Sequence, residues 1–108
     1  MSHHVTFTPE AEEQLIALSH YIAAASSSTV AVRYIENIVS FCESFSTFPH
    51  RGNARDDIRP GLRVTHYRKR VVIAFCVEDD VVSILGVFYG GQNYSALLQN
   101  DNDDALMS

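Results

Sequence analysis

The chain has 108 residues, of which 46% are hydrophobic and 19% charged, so it has the size of one globular domain and is too apolar for a disordered protein. No apolar run approaches the ~20 residues that cross a bilayer, and the N-terminus lacks the pattern of a secretory signal. The two cysteines are too few for a disulfide framework, and both lie in apolar runs, which predicts buried thiols in a cytoplasmic protein.

Charge is distributed very unevenly along the chain. The formal net charge is −5, which argues against a general nucleic-acid binder. Seven of the eight basic residues nevertheless lie within residues 51–70, which carry a net charge of +5, whereas the remainder carries −10. The sequence therefore predicts one basic surface on an otherwise acidic protein.

The first half of the chain is typical of a strand followed by a helical hairpin. Residues 4–8 alternate and are rich in strand-forming types. Thr8, Pro9 and Glu10 then form a helix start, because threonine caps free backbone amides and proline suits the first helical position. Serines at 26–28 separate two helices, whose apolar faces are Ala11, Leu15, Leu18 and Ile22 in the first and Ala31, Ile35, Ile38, Cys42 and Phe45 in the second.

The second half is typical of a loop and three strands. Glycine and proline between His50 and Gly61 predict a loop, with a short turn of helix around Asp56 as an alternative. Short connections then join three strand-like segments into an antiparallel meander: Leu62–Tyr67, Val71–Val77 and Val81–Tyr89. The second of these is continuously apolar, which predicts a central strand covered on both faces.

The order of elements is therefore β-α-α-β-β-β. It predicts an α+β fold in which a helical hairpin packs on a small antiparallel sheet. Residues 1–98 are expected to form this single domain, and residues 99–108 to form an acidic, flexible tail.

The residue pattern contains no motif for a metal, a cofactor or covalent catalysis. The histidines are scattered, and no cysteine pair has the spacing of a zinc site, so we expect neither metal nor cofactor. Cys42 and Cys76 lie among aliphatic residues, where a thiol is a poor nucleophile. The Gly90-Gly91 pair opens no helix carrying a lysine and is not a phosphate-binding loop.

Two clusters of polar residues are candidates for an interaction site. Arg63 and Arg70 flank the first hairpin of the meander and, together with Tyr67, suit a phosphate group or an acidic protein surface. The alternative is that the arginines pair with the protein's own carboxylates, at little gain in stability. Tyr89 and Gln92 lie on either side of the paired glycines, which allow a tight corner that brings the two side chains together. The alternative is that the glycines only end the strand and that the aromatic side chain only fills space beside it.

Several short segments between Val5 and about Leu98 also match a known family in order and spacing. They are Thr8-Pro9-Glu10-Ala11; Leu15, Leu18 and Tyr21-Ile22; Ala31, Arg33 and Ile38; Phe48-Pro49, Gly52 and Arg55; Pro60-Gly61-Leu62-Arg63; Arg70-Val71-Val72-Ile73-Ala74-Phe75; and Ile84-Leu85-Gly86-Val87-Phe88-Tyr89-Gly90-Gly91-Gln92. Together these segments resemble the RelE/ParE superfamily, the toxins of bacterial type II toxin–antitoxin systems, and most closely its ParE-like branch.

The resemblance implies a small cytoplasmic toxin, of a kind that acts in plasmid stabilisation, neutralised by a cognate antitoxin. The antitoxin is expected to lay an amphipathic helix along an apolar groove of the toxin and to supply the only contact with DNA. ParE-like members inhibit DNA gyrase, whereas RelE-like members cleave mRNA on the ribosome.

The sequence favours the ParE-like activity. Ribosome-dependent nucleases of the family are basic, whereas this chain has a net charge of −5. Gly86, Tyr89 and Gln92 also stand where nucleases of the family place histidine or arginine. We therefore expect a stoichiometric gyrase inhibitor rather than an enzyme, which binds its target through Arg59, Arg63, Arg70, Tyr89 and Gln92. Two alternatives stay open: an mRNA endoribonuclease that uses Arg63, Arg70 and Tyr89, and a non-toxic relative that only binds an antitoxin.

Overall fold

The computed structural model describes residues 3–90. Two helices pack on one face of a five-stranded mixed sheet, which confirms the predicted α+β fold. In chain order the elements are β1 (His4–Phe7), α1 (Pro9–Ala25), α2 (Ser28–Glu43), a 3₁₀ turn (Ser44–Ser46), β2 (Asn53–Ala54), β3 (Leu62–Tyr67), β4 (Val71–Glu78) and β5 (Val81–Tyr89).

Side-chain caps fix where the two helices begin. The Ala11 amide donates to Thr8 Oγ1 at 3.2 Å, and the Val30 amide donates to the Ser27 hydroxyl at 3.1 Å. Both bonds satisfy amides that a helix leaves unpaired at its start. The predicted face of α1 is confirmed, and that of α2 largely so, since the buried residues are Ala11, Leu15, Leu18 and Ile22 in α1 and Ala31, Ile38 and Cys42 in α2.

The sheet has the strand order β1-β5-β4-β3-β2, and β3, β4 and β5 form the predicted antiparallel meander. β1, however, pairs with β5 in parallel, with His4 opposite Val81, so the sheet is mixed rather than antiparallel. The helical hairpin between β1 and the meander is long enough to permit this parallel pairing. β2 lies inside the predicted loop and pairs with β3 through only two residues, too few to give a sequence pattern.

The loop between β2 and β3 contains a single hydrogen-bonded turn around Asp56, which agrees with the predicted alternative of a short helical turn but does not extend into a helix. Ile58 and Arg59 donate their amides to the carbonyl of Arg55 at 3.0 and 3.2 Å. The Asp56 carboxylate accepts from the Gly61 amide at 2.8 Å and thereby closes the turn. This turn places Ile58 on the face of the sheet opposite the helices.

Each face of the sheet has its own apolar cluster. Residues of β4 alternate between the two clusters, with Phe75 on the helix side and Ala74 on the other, and both are fully buried. This confirms that β4 is covered on both faces. Cys42 lies on the buried face of α2, as predicted. The prediction of a buried thiol is wrong for Cys76, which is half-buried because it lies near the end of β4 on the face away from the helices.

Candidate interaction site

The turn between β3 and β4 is cationic and conformationally strained. Arg68 and Lys69 have φ angles of 53° and 67°, in the left-handed region that favours glycine or asparagine. Arg68, Lys69 and the following Arg70 are all exposed. None of the three forms a salt bridge with a carboxylate of residues 3–90. Their charge is therefore available to groups outside this part of the chain.

Four tyrosines lie beside this turn and connect it to the helices. The Tyr34 ring packs edge-on against Tyr67 and Tyr89, with centroids 6.3 and 6.4 Å apart, and Tyr21 lies 5.6 Å from Tyr89. The Arg68 guanidinium lies 5.3 Å from the centre of the Tyr67 ring. We call this set the tyrosine–arginine corner: Tyr21, Tyr34, Tyr67, Tyr89, Arg68 and Arg70.

The electrostatics of the corner keep Tyr34 protonated. Burial raises the pKa of the Tyr34 phenol above 10.0, and the neighbouring phenols of Tyr89 and Tyr67 raise it further, whereas Arg68 and Arg70 partly oppose the shift. A phenol with a raised pKa does not act as a base at neutral pH. At neutral pH the hydroxyl of Tyr34 is therefore suited to hydrogen bonding rather than to taking a proton.

A groove runs from this corner along α1. It encloses about 490 Å³ and is lined by Gln14, Ala17, Leu18 and Tyr21 of α1 and by Arg70, Val87, Tyr89 and Gly90. We call it the α1–β5 groove. Its walls are mostly apolar, with the Arg70 cation at one end, which is the composition of a site for an amphipathic segment.

Side chains of α1 and its cap hold the two walls of this groove together. β1 stops pairing with β5 at Ile84, and beyond that point Gln14 Oε1 accepts a hydrogen bond from the Val87 amide at 2.7 Å. Thr8 Oγ1 donates to the Leu85 carbonyl at 3.3 Å. The two bonds take the place of a neighbouring strand and fix the separation of α1 and β5.

Arg63 makes contacts within the fold that its position in the sequence does not indicate. Its side chain lies on the helix side of the sheet, because its cross-strand neighbour is Phe75. There the guanidinium donates to the carbonyl oxygens of His50, Arg51 and Gly52. Arg63 thus fastens the segment before β2 to β3.

The five predicted target-binding residues are therefore only partly brought together. Arg70 and Tyr89 line the same groove, because antiparallel pairing places Val71 opposite Tyr89. Arg63 and Arg59 line two separate cavities of about 190 and 270 Å³ nearer the other end of β3. Gln92 lies outside the described residues.

Sequence reasoning did not assign Tyr21, Tyr34 or Gln14 to the site. Tyr21 and Tyr34 lie on the helical hairpin, and a clue to their position was that each follows the apolar periodicity of its helix at the edge of the buried face. Nothing in the local sequence indicates that the Gln14 amide reaches β5, 73 residues away.

The described part of the chain contains neither a cluster of metal-binding side chains nor a membrane-spanning helix. Residues 3–90 contain no group of three histidine, cysteine, aspartate or glutamate side chains that could hold a metal ion. None of the helices within these residues is long and apolar enough to cross a membrane.

Comparisons with solved structures identify the fold. The chain is similar to a chain of the chromosomal ParDE toxin–antitoxin system from P. aeruginosa, with a TM-score of 0.72 and 18% identity, over 82% of this chain and 97% of that one. It is also similar to a chain of the toxin–antitoxin complex RelBE2 from Mycobacterium tuberculosis, with a TM-score of 0.61 and 20% identity, over 82% and 99%. At these identities the likeness shows a shared fold.

Comparisons at the level of sequence identify the family. A search of curated protein sequences finds no significant match. The family model for the "ParE toxin of type II toxin-antitoxin system, parDE" matches residues 5–94, which is most of the chain. The chain therefore belongs to the ParE toxin family of type II toxin–antitoxin systems.

Proposed function

We propose that this protein is a toxin that inhibits DNA gyrase by stoichiometric binding and is neutralised by a cognate antitoxin. The observation that carries the proposal is the exposed cationic turn of residues 68–70, which makes no salt bridge with residues 3–90 and adjoins the groove beside Tyr89. Membership of the ParE family supports gyrase as the target. Arginines next to tyrosines are typical of protein-binding hot spots.

The chemistry of the α1–β5 groove supports binding over RNA cleavage. Cleavage by acid–base catalysis is most efficient with a group whose pKa lies near neutrality, and a cation placed for the phosphorane charge assists it. The groove is lined by no carboxylate or imidazole of residues 3–90, and the pKa of the nearby Tyr34 is raised rather than lowered. Arg63, which a nuclease would use, already donates to three backbone carbonyls.

The same groove suits the antitoxin. An amphipathic helix placed along Ala17, Leu18 and Tyr21 would bury the exposed Tyr21 ring and approach Arg70. It would also cover Tyr89, one of the residues proposed to contact gyrase. The antitoxin would then neutralise the toxin by occupying its target-binding surface, and it would supply the contact with DNA, as the acidic net charge of the toxin leads us to expect.

The test is a supercoiling assay with purified gyrase and relaxed plasmid, in which both loss of supercoiling and trapped DNA breaks are scored. We expect the full chain to inhibit, and the antitoxin encoded beside it to relieve the inhibition. Arg70→Ala should weaken inhibition by about tenfold, as expected when one interface arginine is truncated. Arg33→Ala, which removes an exposed arginine of α2, is the matched control and should not weaken it.

Two results would overturn the proposal. Toxicity in cells without any effect on gyrase would move the target to the ribosome, and loss of mRNA cleavage in Tyr89→Phe would then identify the nuclease. Growth unaffected by the induced, folded chain, together with tight antitoxin binding, would identify a non-toxic relative.

A further inference from the structure

A second cavity lies at the end of the helical hairpin, away from the α1–β5 groove. It is a wide, open cavity of about 640 Å³, lined among the described residues by residues 47–51, which connect the 3₁₀ turn to β2. The Phe48 ring stands in its wall and is 61% exposed. Phenylalanine and arginine are both more frequent in protein interfaces than on the rest of the protein surface.

Arg51, which lines this cavity, is held between aromatic rings. Its guanidinium carbon lies 4.9 Å from the centre of the Phe41 ring, 5.0 Å from that of Phe45 and 5.7 Å from that of Phe48. The ring faces attract the cation, but they also displace the water that would hydrate it. The guanidinium is therefore partly desolvated.

The same guanidinium has no oxygen partner in the described chain. Arg51 Nε is buried and makes no hydrogen bond, and the side chain forms no salt bridge with residues 3–90. A cation with desolvated donors binds a carboxylate more strongly than a fully hydrated one does. The backbone that carries Arg51 is also fixed, because Arg63 donates to its carbonyl oxygen at 3.2 Å. Such a preorganised group loses little conformational entropy on binding.

We propose that the cavity of residues 47–51 is a docking site for a segment of a partner protein that carries a carboxylate beside an apolar side chain. The edge of the Arg51 guanidinium binds the carboxylate, and Phe48 and Pro49 pack against the apolar side chain. A protein segment fits better than a nucleic acid, because a phosphate backbone needs several cations in a row, and among residues 3–90 this mostly apolar cavity is lined by one arginine beside His50. The site adjoins the tyrosine–arginine corner, because the Phe41 ring lies 5.1 Å from the Tyr67 ring, but binding at it does not depend on gyrase.

The proposal is tested on the full chain by nuclear magnetic resonance with three small probes. Benzoate carries a carboxylate beside an apolar ring, benzamide is its neutral analogue, and phenyl phosphate carries a phosphate. We expect benzoate to bind saturably with a Kd of about 1–10 mM, shifting the resonances of Phe48 and Arg51, as suits a ligand of this size. Benzamide should bind at least about tenfold more weakly, because it lacks the charge.

Variants assign the binding to the named side chains. Arg51→Lys keeps the charge but loses the planar guanidinium, so benzoate should bind to this variant at least about fivefold more weakly. Phe48→Ser changes an exposed residue and should weaken binding about threefold or more without unfolding the protein. Arg33→Met removes an arginine elsewhere on the surface and should leave the benzoate affinity unchanged.

Three results would overturn the proposal. Equal affinity for benzoate and benzamide would mean that the cavity is only an apolar pocket. Phenyl phosphate binding tenfold more tightly than benzoate would assign the site to a phosphate-bearing partner. Benzoate shifts that do not saturate, or that persist unchanged in both Arg51→Lys and Phe48→Ser, would place the carboxylate elsewhere. Gyrase takes no part in these measurements, so failure of the gyrase proposal would leave their result intact.

Discussion

Replacing Arg63 separates a structural role from a role in target binding. In the folded chain its guanidinium donates to the carbonyls of His50, Arg51 and Gly52, with the bonds to Arg51 and Gly52 at 3.2 Å. Arg63→Ala removes all three bonds and releases the segment that precedes β2. We therefore expect a clear loss of stability before any effect on a target is considered.

The size of this loss follows from the exposure of the bonds. A hydrogen bond from a charged donor contributes about 1.5–3 kcal/mol when it is shielded from water. Two of the three bonds are exposed and one is half-buried, so their sum is reduced to about 2 kcal/mol. For a domain of about 100 residues this corresponds to a Tm lowered by about 8–15 °C.

Thermal and urea unfolding of three variants test this reasoning. Arg63→Lys keeps the charge but lacks the guanidinium geometry, and it should lose most of the same stability. Arg70→Ala should change stability by less than about 0.5 kcal/mol, because Arg70 is exposed and unpaired within residues 3–90. A Tm of Arg63→Ala within about 2 °C of the wild type would refute the structural role and leave the guanidinium available to a target.

Three substitutions test the backbone, and two measurements test the buried thiol of Cys42. Lys69→Gly should raise the urea midpoint by the equivalent of about 0.5–1 kcal/mol, because glycine adopts a φ of 67° without strain. Gly52→Ala should lower the free energy of unfolding by more than about 3 kcal/mol, since its new Cβ would stand 2.3 Å from the Val64 carbonyl oxygen. Gly61→Ala, whose new Cβ would have no atom within 4 Å, should lower it by only about 1 kcal/mol. Urea unfolding measures both values. Burial raises the pKa of Cys42 to about 12, so this thiol should resist a disulfide reagent at pH 8 that modifies Cys76. Because the folded state holds the Cys42 proton more tightly than the unfolded state does, the protonated thiol contributes to the free energy of unfolding. This contribution should be intact below pH 9.0 and be lost toward pH 12, which urea midpoints measured across that range would show.

Local sequence signals were sufficient for most of the secondary structure. The bounds of β3 and β5 agree with the predicted segments, because continuous or alternating apolar residues end there at glycine or at charged residues. The start of α1 was predicted from Thr8 and Pro9, which act on their immediate neighbours. The parallel pairing of β1 with β5 joins residues more than 70 positions apart, and no local pattern encodes which edge of a sheet such a strand joins.

The candidate site shows the same division between local and long-range information. That Arg70 and Tyr89 lie close together follows from two adjacent antiparallel strands, which the sequence predicted. The bond from Gln14 to β5 and the bonds from Arg63 to residues 50–52 depend on tertiary packing. Composition could therefore indicate a basic surface, but it could not tell which arginines reach solvent and which hold the fold.

The structure divides the basic residues of 51–70 by what each already binds, and this division bears on the target. Arg55 pairs with Asp57 at 3.0 Å and lowers the pKa of that carboxyl, Arg63 binds carbonyls, and Arg51 is enclosed by rings. The exposed cations of the turn are three, residues 68–70. Three phosphate contacts would give a salt dependence of log K with a slope of only about −2.7, well below that of a protein held on DNA by charge. On a chain with a net charge of −5, such a turn orients the protein on an acidic partner and increases the rate of their association. Glycine at Arg68 or Lys69 would relieve the backbone strain but would remove part of this charge.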